Sequence, residues 1–272
     1  MNGIIETKRA LSGVQYPPVV IAHINKTMED YFRWRVNGKD GIQIHYSSQP
    51  NGHPHLGTIT SIMTAFALGD FLQEKFDIPA EVTFEQLENA LGYKIEKKGI
   101  TYQLMLCDTP LENSTKLDTY MKSFKGLMNW LQDKSGIIYN ILPYREFQEK
   151  PFVRESLLEI LNRSEEFAPL LNPSEMKLRL RFPCKKCRYM DEDSKTLIIE
   201  NLQKDYASLS MECFDHGRYK MELTPDNKEF IDLNTPIRNA IKERLFIEQA
   251  DESNALNLMV DGVLGIWFEV IK

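Results

Sequence analysis

From residue 41 onward the apolar and polar positions follow two periods in turn. GIQIHY at 41–46 alternates every second residue, which predicts a strand with two unlike faces. Thr58 to Phe76, TITSIMTAFALGDFLQEKF, changes to helical spacing, with Ile59, Ile62, Met63, Phe66 and Leu72 on one face. Asp77-Ile78-Pro79 is the stop signal. AEVTFEQL at 80–87 predicts the next strand. GITYQLMLC at 99–107 predicts another, ending at Asp108-Thr109-Pro110. Residues 114–133 return to helical spacing through Leu117, Met121, Phe124, Met128 and Leu131. IIYNIL at 137–142 reads as a strand and PFVRESLLEILNRS at 151–164 as a helix. Upstream, VVIAHI at 19–24 and MEDYFRWRV at 28–36 read as a short strand and a helix without chemistry.

Strands that alternate with helices predict crossover connections, hence an α/β fold with a Rossmann-like, largely parallel sheet. The pattern breaks near residue 176. KLRLRFP alternates like a strand, and FPCKKC, SLSMECFDHG and YKMEL then bring short strands around a group of cysteines. The expected organisation is a first part of the α/β core at 1–173, an inserted module at 174–224 and a returning core segment at 225–272. FIDLNTPIRNAIKERLFIEQA would supply a helix of that last segment, and NLMVDG at 257–262 would rejoin the sheet. There is no internal repeat and no low-complexity tract.

The module changes the reading of composition most. Cys184-x-x-Cys187 is followed by Cys213-x-x-His216, with Gly217 next to the second pair. Two short-spaced pairs on tight turns can close a tetrahedral Zn²⁺ site of the Cys₃His type, as in zinc ribbons. All four positions are good ligands, so the site would be structural and closed. A catalytic zinc needs an open position, and none is implied. Scattered thiols beside a surface histidine are the plainer alternative. Cys107, inside an apolar strand, reads as a buried thiol without a role.

Length and charge narrow the rest. At 272 residues the chain can bury a sizeable core, and 42% apolar and 26% charged residues are ordinary for a globular protein. A net charge of −6 supplies no bulk field for a polyanion, so RNA would need a local basic patch. The densest candidate is Lys177, Arg179, Arg181, Lys185, Lys186 and Arg188, for which a solvated face is the alternative. No apolar run reaches membrane-spanning length, and MNGIIETKRALSGVQ lacks the apolar stretch of a signal peptide. A cytoplasmic protein with no membrane partner and no structural disulfide is expected.

QIHYSSQPNGHPHLGT at 43–58 joins the first clear strand to the first clear helix. A loop at the carboxyl end of a parallel strand is where α/β sheets bind ligands. Gly52 and Gly57 permit close backbone approach, and the helix start offers free N–H groups and a positive dipole end. An imidazole there can donate to a phosphate oxygen and stabilise charge on departing pyrophosphate. A Gly/Pro turn into an ordinary helix, with two exposed histidines, is the bland alternative.

Pro50-Asn51-Gly52-His53-Pro54-His55-Leu56-Gly57-Thr58 resembles the nucleotide-binding signature of class I aminoacyl-tRNA synthetases, a Pro-x-Gly turn before His-x-Gly-His. Thr58 stands where the second histidine usually falls, and His53 is an additional imidazole. The α/β core, the cysteine-rich insert and the run Asp232, Pro236, Arg238 are similar to class I lysyl-tRNA synthetases. The resemblance implies that His55 and Thr58 contact ATP phosphates and that Gly52 and Gly57 admit the nucleotide. It also implies that Tyr46 and Ser47 face an amino-acid pocket, and Asp232 is a candidate for reading a substrate cation, its alternative being a structural pair with Arg238. The implied chemistry is attack of an amino-acid carboxylate, lysine as the first guess, on the α-phosphate of ATP with Mg²⁺. The product is an aminoacyl-adenylate for tRNA or another acyl acceptor.

Two departures stand beside this. The lysine-rich second signature of that family is absent from the chain, and so is an anticodon-reading helical domain. The chain then reads as a fragment of a longer enzyme, a minimal paralogue with another acceptor, or a paralogue without catalysis. A non-catalytic RNA- or protein-binding module and another nucleotidyltransferase of the same fold are the alternative functions. Asp108 reads as a turn cap.

Overall fold

The computed structural model describes residues 29–242, 254–260 and 267–269. In chain order they form α1 (Glu29–Arg33), β1 (Gly41–Ser48), α2 (Leu56–Phe76), β2 (Ala80–Gln86), β3 (Leu91–Lys97), β4 (Ile100–Met105), β5 (Pro110–Leu111), β6 (Ser114–Thr115), α3 (Lys116–Ser135) and β7 (Ile138–Pro143). There follow α4 (Tyr144–Gln148), α5 (Pro151–Asn162), α6 (Ser164–Leu171), β8 (Leu180–Arg181), β9 (Met190–Asp191), β10 (Ile198–Gln203), β11 (Tyr206–Cys213) and β12 (Gly217–Leu223). Last come β13 (Asp232–Leu233), a helix over 235–242, β14 (Ala255–Val260) and β15 (Trp267–Glu269). The expected strand at 19–24, and Asp261-Gly262 of the segment 257–262, lie outside the described residues. No helix among the described residues is long and apolar enough to cross a membrane.

The chain divides into two compact units. One combines Met1–Leu87, Thr119–Leu142 and Leu245–Lys272, and the other Glu88–Asp118 and Pro143–Arg244. Residues 174–224 lie wholly inside the second.

The first unit is built on a sheet of order β15-β14-β1-β2-β7. Its four strands β7-β2-β1-β14 are parallel, and β15 adds antiparallel to β14. Counted along the chain, the parallel strands stand in the order 3-2-1-4, consistent with a Rossmann-like core. Register makes the two faces unlike. Ile42, Ile44, Tyr46, Val82, Phe84, Leu256, Leu258 and Val260 share one face, all buried. Gln43, His45, Ser47, Glu81, Thr83, Glu85 and Asn257 share the other. Both long helices approach the apolar face. A Cβ on Gly69 of α2 would stand 3.3 Å from Ile44, and the rings of Phe84 and Phe124 of α3 are 5.6 Å apart. Phe66, Leu68 and Leu72 of α2 are fully buried, each worth about 1.5–3 kcal/mol on removal from water. Asp77 ends α2 in the left-handed conformation (φ 54°), its N–H donating to the Gln73 carbonyl at 3.0 Å. A short polar side chain tolerates that conformation, so the helix closes before Pro79 is reached.

The segment 99–107 corrects the sequence expectation. β4 does not join the parallel sheet. It pairs antiparallel with β3 and β9 in the second unit. β3 was not expected, although Leu91, Tyr93 and Ile95 alternate with Gly92, Lys94 and Glu96, and its residues are mostly exposed. A second antiparallel sheet follows in the order β10-β11-β12, and β8 pairs with β13. Of the strand expected in KLRLRFP, only Leu180–Arg181 pairs.

Gly92 fixes how β3 meets the turn after β4. A Cβ there would fall 1.9 Å from Thr109 Oγ1 and 2.8 Å from the Met105 carbonyl oxygen. Gly92→Ala is therefore expected to destabilise the second unit by about 3 kcal/mol or more, read as a lower urea midpoint at unchanged slope. Adding Thr109→Ala should restore only part of the loss, since the backbone carbonyl still blocks the methyl. Full restoration would show that the side chain alone sets the constraint.

Candidate functional site

β1 lies between β2 and β14, so the chain leaves its two flanks by different routes. The carboxyl end of β1 is thus the switch point of the sheet, where open α/β sheets place ligands. The loop at 49–55 begins there and delivers the chain into α2. His55 is the N-cap residue, in extended conformation (φ −86°, ψ 172°), and its carbonyl accepts from Ile59 N–H at 2.9 Å. Its Nδ1 accepts from Thr58 N–H at 3.4 Å, and its Nε2 lies 3.2 Å from Thr58 Oγ1. With Nδ1 accepting, Nε2 carries the proton in the neutral ring and donates to the Thr58 hydroxyl. No acidic residue occupies the first turn of α2, so nothing there offsets the positive helix end. Gly57 lets the ring fold back, since a Cβ on it would stand 3.1 Å from His55 Cε1.

The neighbouring residues divide between solvent and scaffold. Pro50 is buried, Gly52 partly so, and Asn51, His53, His55 and Gly57 are exposed. The space around a Gly52 Cβ is open and its φ is not left-handed, so neither a close contact nor the backbone conformation demands glycine there. His53 turns toward α3. Its Nδ1 is 2.8 Å from Ser123 Oγ, and its ring meets Tyr120 edge-on with centroids 5.8 Å apart. It buttresses the loop and leaves His55 as the outward imidazole.

Tyr46 and Ser47 are adjacent in a strand and point to opposite faces, so they cannot line one pocket together. Tyr46 is buried in the apolar face, its ring 5.8 Å from that of Phe84. Ser47 lies on the polar face and donates to Glu85 Oε2. On that face sequence reasoning missed a polar row. Asn257 Oδ1 is 3.1 Å from His45 Nε2, and His45 Nδ1 is 3.5 Å from Glu85 Oε1. His45 is fully buried, and Glu85 and Asn257 nearly so. The signal was present as polar residues at alternate positions of three strands, Gln43-His45-Ser47, Thr83-Glu85 and Asn257. It becomes one face only when the parallel register is known.

Asp232 is also fully buried. Arg181 grips its Oδ2, with Nε at 2.8 Å, and Asn89 donates to Oδ1 at 2.6 Å. The structural pair with Arg238, one of the two alternatives, is not formed, and Asp232 pairs instead with Arg181 across the β8–β13 ladder. A substrate cation would have to displace that guanidinium. Asp108, read as a turn cap, pairs with Arg188 at 3.2 Å. The basic run is largely neutralised in the same way. Arg179 meets Glu175 (Nε at 2.9 Å), Lys185 meets Glu229 at 2.5 Å, and Arg181 and Arg188 are paired as above. Among the described residues only Lys177 and Lys186 of the six stand without a carboxylate, too few to act as a phosphate-tracking stripe.

Cys184, Cys187, Cys213 and His216 converge as expected, their ligand atoms all within 4.8 Å of one another, and they can hold a metal ion. Cys187 and Cys213 sulfurs are 3.5 Å apart, and His216 Nδ1 lies 3.7 Å from Cys184 Sγ and 3.5 Å from Cys213 Sγ. The two turns repeat each other. Each pair is followed by a left-handed residue, Arg188 (φ 66°) after the first and Gly217 (φ 71°) after the second. Burial raises the Cys184 thiol pKa, but N–H groups of Cys187 and Lys186 directed at the sulfur outweigh it and leave a net lowering. Cys107 is set apart. It lies in the turn after β4 and is half-buried, not inside the strand as expected, and desolvation, with Asp108 and Glu88 nearby, pushes its thiol up to about 12.

With this geometry in view, the chain matches no family model, and no curated protein matches it.

Proposed function

We propose that the chain binds ATP at the carboxyl end of β1 and uses it to activate an amino acid. One observation carries the reading. His55 caps a 21-residue helix at the switch point of a 3-2-1-4 parallel sheet, its ring exposed and its Nε2 against the Thr58 hydroxyl. That is where an α/β sheet favours a phosphate, and the residue placed there is a hydrogen-bond donor that can follow developing charge. Gly52 and Gly57 leave the backbone accessible, Pro50 and Asn51 set the turn, and His53 braces it on α3.

In this reading an amino-acid carboxylate oxygen bonds to the α-phosphorus. The bond from that phosphorus to the bridging oxygen breaks, and magnesium pyrophosphate leaves. The Thr58 hydroxyl donates to a phosphate oxygen while it accepts from His55 Nε2–H, or the imidazole turns from Thr58 to donate to the phosphate itself. No covalent intermediate on the protein is needed, so catalysis rests on positioning and electrostatics. Lysine is the first substrate to try, and tRNA or another acyl acceptor would take the product.

The same reading assigns zinc to the Cys₃His cluster. Zn–S bonds of about 2.3 Å and Zn–N bonds of about 2.0–2.1 Å arranged tetrahedrally give donor separations of roughly 3.4–3.8 Å. Three of the six donor separations, 3.5–3.7 Å, match that shape, and all six lie within 4.8 Å. The ion would be structural, tying the β8–β9 turn to the β11–β12 turn.

The test is amino-acid-dependent ATP–pyrophosphate exchange on the zinc-loaded chain, screened over the common amino acids with Mg²⁺. Exchange with one amino acid is the expected result and names the substrate. Absence of exchange together with absence of ATP binding would overturn the proposal and favour a binding module.

A further inference from the structure

A charged arginine side chain is rarely buried without a partner, because water solvates the ion better than any apolar surrounding. Arg238, in the first turn of the helix over 235–242, is such a residue. Only 7% of it is exposed. Its Nε has no acceptor, and no carboxylate lies within ion-pair distance of it among the described residues. Its backbone is anchored, the N–H donating to the Asn234 carbonyl at 3.0 Å. The guanidinium carbon stands 5.9 Å from the Tyr144 ring centroid, an attraction that offsets a small part of the desolvation cost.

The carboxylates nearby are already engaged. Arg181 takes Asp232, Arg145 lies 3.5 Å from Glu88, and Lys185 takes Glu229. Asp232 is completely enclosed and held from two sides, so it cannot swing toward Arg238 without abandoning Arg181 or Asn89. Asn89 Oδ1 is likewise buried without a donor. Among the described residues, Asn89, Arg181 and Asp232 bond to one another, and Arg238 on the Tyr144 ring has no carboxylate at ion-pair distance. Unlike Asp232, Arg238 retains some exposure, so the charge is reachable.

We propose that Arg238 anchors an anion-binding site in the second unit, which takes a carboxylate- or phosphate-bearing small molecule on the guanidinium fork. The planar fork suits a two-oxygen face, and burial strengthens the contact by excluding competing water. The proposal stands whether or not the first unit binds a nucleotide, since every residue it uses belongs to the second.

Thermal unfolding of the full zinc-loaded chain, titrated with sodium phosphate or sodium acetate against sodium chloride at equal ionic strength, tests it. A concentration-dependent rise in Tm with phosphate or acetate over chloride is expected. The anion that acts tells phosphate from carboxylate. Arg238→Met should abolish the rise, and His55→Asn should leave it intact. Should Arg238→Met fail to fold, Arg238→Lys keeps the charge but loses the fork, and calorimetry should then show affinity weaker by about tenfold or more. No rise in the wild type, an unchanged rise in Arg238→Met, unchanged affinity in Arg238→Lys, or loss of the rise in His55→Asn would each overturn the assignment.

Discussion

Cys213→Ser is expected to abolish metal binding at the Cys₃His cluster and unfold the second unit, with the largest stability loss of any single substitution considered. Cys213 is buried and lies closest to two other donors, Cys187 Sγ and His216 Nδ1, both at 3.5 Å. Structural zinc contributes about 10–16 kcal/mol of apparent binding free energy in small modules, and losing one thiolate forfeits much of it. Elemental analysis should find one zinc per wild-type chain and a marked deficit in the variant. Loss of protection from hydrogen exchange should be concentrated in Tyr206–Leu223. A chelator applied to the wild type should produce the same protection map. If the variant keeps its structure and the wild type carries no metal, the cluster is four unrelated side chains.

The second large effect concerns activity. His55→Asn is expected to lower amino-acid-dependent pyrophosphate exchange by about two to three orders of magnitude, the usual cost of losing one donor to developing charge. Asparagine is chosen because it is among the best N-cap residues, so the start of α2 is preserved. Alanine would remove cap and imidazole together, and the cap alone is worth about 0.5–2 kcal/mol. An unchanged melting temperature with collapsed exchange locates the effect in chemistry. Retained exchange in the asparagine variant would reduce His55 to a helix cap.

Those two sites differ in how they could be read from sequence. The cysteine cluster was legible because its constraint is local, two pairs at fixed spacing whose residue types have few other reasons to occur together. β1, α2 and β2 were legible because strand period, helical period and the Asp77-Ile78-Pro79 stop all agree. β4 was misplaced for a physical reason. An apolar run records that a strand is buried but not which sheet buries it, and its partner β3 shows mostly exposed side chains. Asp232 failed differently. It carries its functional-looking motif with Arg238 nearby in sequence, yet Arg181, 51 residues away, reaches it first through the β8–β13 pairing. That Arg238 has no carboxylate partner among the described residues is likewise visible only in the fold.

The pairing of β1 with β14 bears on how the chain is made. Gly41 lies opposite Ala255, so one flank of the central strand is closed by residues synthesised more than 200 positions later. On the ribosome, β1, α2 and β2 emerge first and can dock locally, but the open flank of β1 stays bare while the whole second unit is translated. A bare flank on an apolar strand is a template for pairing with another chain. The second unit, drawn from Glu88–Asp118 and Pro143–Arg244, can close in that interval. The nascent protein would then pass through a stage in which the second unit is finished and the parallel-sheet unit is sticky, when a chaperone that shields strand edges would have most to do.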